Sequence, residues 1–220
     1  MAHYEKPDYW SQKAKKEGYP ARSVYKLMEI DEKFNFFKSS RQKKPVNQAA
    51  FRVLDLGAAP GSWSLYVLRK YGKPDKENRA LSLTAVDLQP LYKNDEFPNY
   101  ENFLFIQGDF TGIPVRETLI SNGPYNAIIS DAAPLTTGSR TVDTQRSLSL
   151  VEEAFFYAEN CLAPGGNLAV KIFQSGDTTA LLKHLRENFT TAKSFKPTAC
   201  RSNSFETYLI GLGKKTTTCC

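Results

Sequence analysis

Apolar residues in this chain gather into short, nearly unbroken runs, each closed by Gly, Pro, Asp or Asn. Five stand out: FRVLDLG (Phe51 to Gly57), LSLTAVDL (Leu81 to Leu88), NFLFIQGD (Asn102 to Asp109), YNAIISD (Tyr125 to Asp131) and NLAVKIF (Asn167 to Phe173). Their length and continuity predict strands covered on both faces. Helical spacing fills Ser64 to Tyr71 after the first run, Thr144 to Cys161 after the fourth and Thr178 to Phe189 after the fifth. Alternating strands and helices predict an α/β fold with a parallel, doubly wound sheet. TTAKSFK (Thr190 to Lys196) and TYLIGLG (Thr207 to Gly213) follow with no helix between them, which predicts an antiparallel closing hairpin. Upstream, Val24, Leu27, Met28 and Ile30 lie at helical spacing after Pro20, so an amphipathic helix leads into the sheet. SSRQKKPVNQ (Ser39 to Gln48) reads as a basic linker, and the final TTTCC as a frayed end.

The length of 220 residues suits one domain: a basic leader over 1–50, a sheet over 51–213 and a tail over 214–220. No apolar run approaches the roughly 20 residues of a membrane span, and the first residues are too polar for a signal peptide, so a cytoplasmic protein without membrane attachment is expected. Cys161, Cys200, Cys219 and Cys220 show neither C-x-x-C spacing nor the dispersal of a disulfide framework. Histidine is confined to His3 and to His184, which is assigned to a solvated helix face. That scarcity argues against Ser/His/Asp catalysis and against a His-rich metal site; no metal is expected.

The net charge of +6 is unevenly distributed. Residues 1–50 hold 11 Lys+Arg against 6 Asp+Glu, residues 193–220 hold 5 against 1, and residues 51–192 hold 13 against 16. Basic flanks on a mildly acidic centre suit a partner rich in phosphates, although charged termini also serve solubility alone. Tyr4, Tyr9, Trp10, Tyr19 and Tyr25 alternate with the first of these charges, as either base-stacking groups or anchors that pin the leader to the core.

The sharpest local signal is Asp55-Leu-Gly-Ala-Ala-Pro-Gly-Ser-Trp63, where a strand ends and a helix begins. Ligands of doubly wound sheets bind at such turns. The loop lacks the lysine of a phosphate loop, and Ala59 stands where a dinucleotide fingerprint requires glycine. D-x-G-x-x-P-G instead looks like the first motif of S-adenosylmethionine methyltransferases. Asp87 ends the second strand, where an acid can accept hydrogen bonds from two ribose hydroxyls, and Asp109 ends the third, within reach of an adenine amino group. Asp131 ends the fourth strand. Lys171 lies inside the apolar fifth, where an unpaired ammonium would be expensive to bury. Adjacent strands would bring the two side by side. Lys26 by itself reads as a residue of a solvated helix face, and Glu206 opens the last strand.

Taken together and in order, PARSVYKLMEID, DLGAAPGSWS, QGDF, SDAAP, LAPGGNLAVKIFQ and ETYLI resemble the FtsJ/RrmJ (RlmE) family of ribose 2'-O methyltransferases, over about Ser11 to Gly213. The resemblance implies a Rossmann-like, seven-stranded, mostly parallel sheet with an antiparallel last strand and helices on both faces. It assigns Lys26, Asp131, Lys171 and Glu206 to the family's K-D-K-E tetrad, and Gly61, Trp63, Asp87, Asp109 and Asp131 to contacts with S-adenosyl-L-methionine. It implies methyl transfer to RNA, with a uridine of large-subunit (23S) ribosomal RNA as target and a monomer as the acting unit. The alternatives are a tRNA anticodon-loop ribose methyltransferase and a non-catalytic RNA-binding ribosome assembly protein. Ser62 departs from a glycine common in the bacterial members, and GKPDKENR reads as a surface extension between the first two strands.

Overall fold

A computed structural model describes residues 8–38, 50–73, 80–93, 96–135, 137–174, 178–201 and 204–216. The basic linker over 39–48, most of the surface extension and the terminal cysteine pair lie outside the described residues.

The chain begins with α1 (Tyr9–Lys16) and α2 (Val24–Phe34). It continues through β1 (Ala50–Leu56), α3 (Ser62–Tyr71), β2 (Ala80–Asp87), β3 (Phe103–Gln107), α4 (Ile113–Ser121), β4 (Tyr125–Ser130), α5 (Arg140–Cys161), β5 (Leu162–Phe173), α6 (Thr179–Asn188), β6 (Phe189–Phe195) and β7 (Glu206–Lys214). The strands form one seven-stranded sheet in the order β3-β2-β1-β4-β5-β7-β6. The first five pair in parallel; β7 is antiparallel to both β5 and β6. The expected closing pair is therefore present, but β7 enters between β5 and β6 and leaves β6 at the edge.

Side-chain alternation divides the apolar residues between the two faces. Val53, Leu83, Ala127, Ile129, Ala169 and Ile210 face α2 and α3, together with Leu27, Ile30 and Trp63. Leu54, Leu56, Val86, Ile128, Val170 and Leu209 face α5 and its neighbours, where Val151, Ala154 and Phe155 meet them. No helix among the described residues is long and apolar enough to cross a membrane.

Three local readings change. The α1 segment forms a helix because the Asp8 carboxylate accepts the Ser11 N–H at 2.8 Å, and Trp10 packs on Tyr25 with ring centroids 4.9 Å apart. This describes the anchoring role of that tryptophan. The α4 segment carried no clear helical stripe because it buries only Leu119; Pro114 in its first turn is suited to a helix start. His184 is half-buried rather than solvated: its ring stacks on Phe155 of α5 at 4.9 Å and Nε2 lies 3.0 Å from Glu159.

Candidate active site

The strand register sets the site. Leu56 of β1 pairs with Ser130 of β4, which pairs with Val170 of β5, so Asp131 and Lys171 emerge at the same level. Across the antiparallel pair, Lys171 lies opposite Tyr208 and Phe173 opposite Glu206. Opposed residues, and those two apart along a strand, share a face, so all four sit on the side covered by α2. That helix supplies Lys26, which is buried rather than solvated. Its seat is fixed from both ends. The Trp63 indole N–H donates to the Ser23 carbonyl at 2.8 Å, and Asp31 accepts from the hydroxyls of Tyr66 and Tyr71 on α3, each at 2.7 Å.

The four polar side chains form two joined ion pairs. Lys171 Nζ lies 3.0 Å from Asp131 Oδ1 and donates to the Asp131 carbonyl at 2.5 Å. Lys26 Nζ lies 2.8 Å from Glu206 Oε1 and 4.0 Å from Asp131 Oδ1. Tyr208, fully buried, donates its hydroxyl to Asp131 Oδ1 at 2.6 Å. Burial pushes the Asp131 carboxyl upward, but the charges of Lys171 and Lys26 and the Tyr208 hydrogen bond outweigh it and hold the group below the usual carboxylate range. For Lys26 burial acts downward; the carboxylates of Asp131 and Glu206 reverse the sign and keep the ammonium charged. Burial, and then Asp131, pushes the Tyr208 phenol far above its ordinary range, so it remains a donor. Burial also drives the Cys200 thiol up to about 12, with the Glu206 charge adding to it.

Beside this network, the loop after β1 turns across the strand ends. Gly57 and Gly61 adopt φ of +75° and +105°. A Cβ on Gly57 would lie 2.5 Å from that of Ala132, and one on Gly61 would lie 2.9 Å from the Phe97 ring. Only glycine meets both the conformation and the spacing. Asp87 accepts the Ala59 N–H at 2.9 Å and the Gln89 N–H at 2.8 Å, one on each oxygen, which fixes its carboxylate over the loop. Each oxygen retains a further acceptor position. Asp109 is exposed and accepts the Thr111 N–H and hydroxyl on one oxygen, at 2.9 and 2.8 Å. The Trp63 side chain is buried and its N–H engaged, so a ligand at this position would meet main chain rather than ring.

Asp55 lies beneath the loop and is wholly buried; Oδ2 accepts the Ser64 hydroxyl at 2.7 Å, while Oδ1 has no hydrogen-bond partner among the described residues. Burial raises this carboxyl to about 7, Ser64 partly offsets the rise, and the charges of Asp131 and Asp87 add to it. The carboxylates of Asp131 and Asp87 beside the buried Asp55 create a field suited to a positively charged ligand. An S-adenosylmethionine molecule fits this donor set: acceptors for hydroxyl and amino groups, and acids beside the place of a cationic centre. Among the described residues, no cluster of three His, Cys, Asp or Glu is arranged to hold a metal.

The network opens on a cleft of about 390 Å³ lined by Arg22, Lys26, Arg201, Phe173, Phe205 and Glu206. Tyr208 was not singled out in the sequence. Its signal was available, because Glu206 and Tyr208 are two apart on a strand and so share a face. Phe173 and Phe205 carried none, since an aromatic beside a strand more often packs in a core.

The profile of the FtsJ-like methyltransferases matches residues 19–214. A Treponema denticola protein named ribosomal RNA large subunit methyltransferase E is 52% identical over 96% of this chain and 97% of its own length. A Borrelia garinii protein of the same name is 41% identical over 94% and 97%. A solved structure of a ribosomal RNA methyltransferase from Plasmodium falciparum shares the fold with a TM-score of 0.67, at 23% identity over 89% of this chain and 98% of that one. With the family's pattern spanning nearly the whole chain and its relatives matched end to end, the protein belongs to the FtsJ-like methyltransferase family.

Proposed function

We propose that the protein transfers a methyl group from S-adenosylmethionine to the 2'-hydroxyl of a ribose in large-subunit ribosomal RNA, a uridine of 23S rRNA being the specific target. The observation that carries this reading is the joined pair of buried ion pairs at the ends of β4, β5 and β7, beside a glycine loop built for close ligand approach. The relatives' name supplies the RNA; the residues supply the chemistry.

The cofactor, when bound, supplies a methyl group on a positively charged sulfur, an electrophile that needs alignment more than activation. Asp87 would hold its ribose hydroxyls, Asp109 its adenine amino group, and the main chain at Gly61 and Trp63 its amino-acid end. Asp131, kept ionised, would favour the cationic sulfur. In the other half of the reaction, Lys171 in its neutral form would take the 2'-hydroxyl proton on Nζ while the bound cofactor supplied the methyl group to that oxygen. Asp131 aims that nitrogen through its carboxylate and its carbonyl, leaving one position on it for the incoming proton. Lys26 and Glu206, locked to each other at 2.8 Å, flank the sugar and fix its orientation.

The test is incubation with methyl-labelled S-adenosylmethionine and, separately, free rRNA, isolated large subunits and tRNA. Label is expected in large-subunit RNA at a position whose 3' phosphodiester resists alkali, as a 2'-O-methyl requires. Label on a base would overturn the chemistry. Label confined to tRNA would overturn the substrate.

A further inference from the structure

Three cations line the cleft beside Glu206, and they differ in what they already hold. Arg22 is engaged by the Asp8 carboxylate and donates to the Ala199 carbonyl at 2.5 Å. Lys26 is engaged by Glu206 and Asp131. Arg201 is exposed, and its guanidinium makes no ion pair or side-chain hydrogen bond with the described residues.

Its backbone is nevertheless held in place. The Glu29 carboxylate accepts the Thr198 N–H at 2.7 Å, the Thr198 hydroxyl at 2.8 Å and the Ala199 N–H at 2.8 Å, while Cys200 is buried in the core. Arg22, itself depressed by burial, is further depressed by the nearby Arg201 charge. An arginine stationed beside another arginine, on an anchored segment and without a carboxylate partner among the described residues, is arranged for an external anion. It also borders a second, open groove of about 920 Å³ along Lys15, Tyr19 and Tyr92, so it stands where that groove enters the catalytic cleft.

Phe205 occupies the same mouth. The Ser204 N–H bonds to the Arg201 carbonyl at 3.0 Å, which brings the two residues to one side of the cleft. The Phe205 ring is half-buried, braced by Phe173 at 5.0 Å in an edge-to-face contact and by the Arg140 guanidinium at 5.3 Å. Its carbonyl accepts the Gln174 N–H at 2.7 Å. Pure core packing does not require a braced aromatic partly open to solvent, one residue from Glu206, whereas a planar heteroaromatic ring stacks on such a surface without regard to sequence.

We infer that this cleft seats a single nucleotide drawn out of its RNA strand, with Arg201 on its phosphate and the Phe205 ring under its base. The inference rests on the proposed function, and it adds how the ribose is presented to Lys171: the sugar is held by its two neighbours within the same nucleotide. It also implies that a paired ribose is not a substrate until its base is freed.

Two measurements separate this inference from the reading it rests on. One is binding of a fluorescently labelled single-stranded uridine 9-mer, titrated with salt; the other is methyl transfer to isolated large subunits at saturating cofactor. Phe205→Ala should weaken 9-mer binding, and raise KM for subunits, about five- to a hundredfold, the loss of one base stack, while Phe205→Tyr restores both. Arg201→Ala should reduce the slope of log affinity on log salt by about 0.7, one counterion on a single strand, with Arg201→Lys keeping the slope. Cofactor affinity should not move in any variant. If Phe205→Leu equals Phe205→Tyr, or if both alanine variants bind and turn over within about twofold of wild type, the inference is overturned. If the 9-mer depends on both residues but wild type methylates no RNA, the nucleotide seat stands and the catalytic reading falls.

Discussion

Replacing Lys171 with methionine removes the ammonium while keeping most of the side-chain volume. It deletes the 3.0 Å pair with Asp131 Oδ1 and the hydrogen bond to the Asp131 carbonyl. Breaking a buried pair costs about 3–5 kcal/mol when the surviving charge is left alone. Asp131 is not left alone: Tyr208 still donates at 2.6 Å and Lys26 lies 4.0 Å away. The expected destabilisation is therefore smaller, about 1.5–3 kcal/mol, on the scale of one charged hydrogen bond. Losing Lys171 also removes the largest charge holding Asp131 low, so that carboxyl moves back toward its ordinary range. Catalysis should suffer far more than folding. A positioned base contributes about 10²- to 10⁴-fold, equivalent to roughly 2.7–5.5 kcal/mol in the barrier. Single-turnover transfer to large subunits, calorimetric cofactor binding and urea unfolding measure the three effects independently. The expected pattern is a rate loss of at least about 10² with cofactor affinity changed only a few-fold. Turnover within tenfold of wild type would refute Lys171 as the base.

Asp55 gives a pH prediction of definite sign. Its folded carboxyl lies at about 7, above its unfolded range, so the folded state binds the proton more tightly and stability falls as pH rises from about 4 through 7. Asp55→Asn should abolish that loss, on the order of 4 kcal/mol at most, read as the difference in urea midpoints between pH 4 and pH 8. Asp131 acts oppositely: its depressed carboxyl contributes stability above the ordinary carboxylate range that is lost as pH falls through its lower folded value, so Asp131→Asn should flatten the acid end of the same profile. Tyr208→Phe removes one donor from a buried carboxylate. It should cost about 1–3 kcal/mol in unfolding and lower turnover through misplacement of Asp131, with cofactor affinity preserved. Gly57→Ala places a methyl 2.5 Å from Ala132 at φ +75° and should abolish cofactor binding or folding, seen directly in calorimetry and circular dichroism.

Much of the architecture was legible because burial on two faces writes itself as uninterrupted apolar runs. Every strand from β1 to β7 was recovered within a few residues, although β5 begins earlier, at Leu162, where Pro164 and Gly165 masked its start. The amphipathic α2 was legible for the same reason. Helix α4 was not, because a helix that buries one leucine leaves no periodic trace. Asp131 and Lys171 could be paired from sequence, since consecutive parallel strands are usually neighbours and a lysine in an apolar run demands a partner.

The sequence by itself thus determined the sheet, the glycine loop and one of the two ion pairs, all of which follow from local periodicity, backbone conformation or the cost of burying charge. Lys26 and Glu206 entered the candidate site only through the family resemblance, and tertiary structure is what brings them and the remaining residues together. Lys26 reads as an exposed helical residue until Trp63 and Asp31 anchor α2 against α3 and turn it into the core. Tyr208 and Glu206 reach Asp131 and Lys26 because β7 inserts beside β5, a choice of strand order that no local pattern encodes. Arg201 and Phe205 belong to the site only because Glu29, far away in sequence, fastens the 198–199 backbone to the helix that carries Lys26. Each is a long-range contact, set by which surfaces meet rather than by the residues on either side.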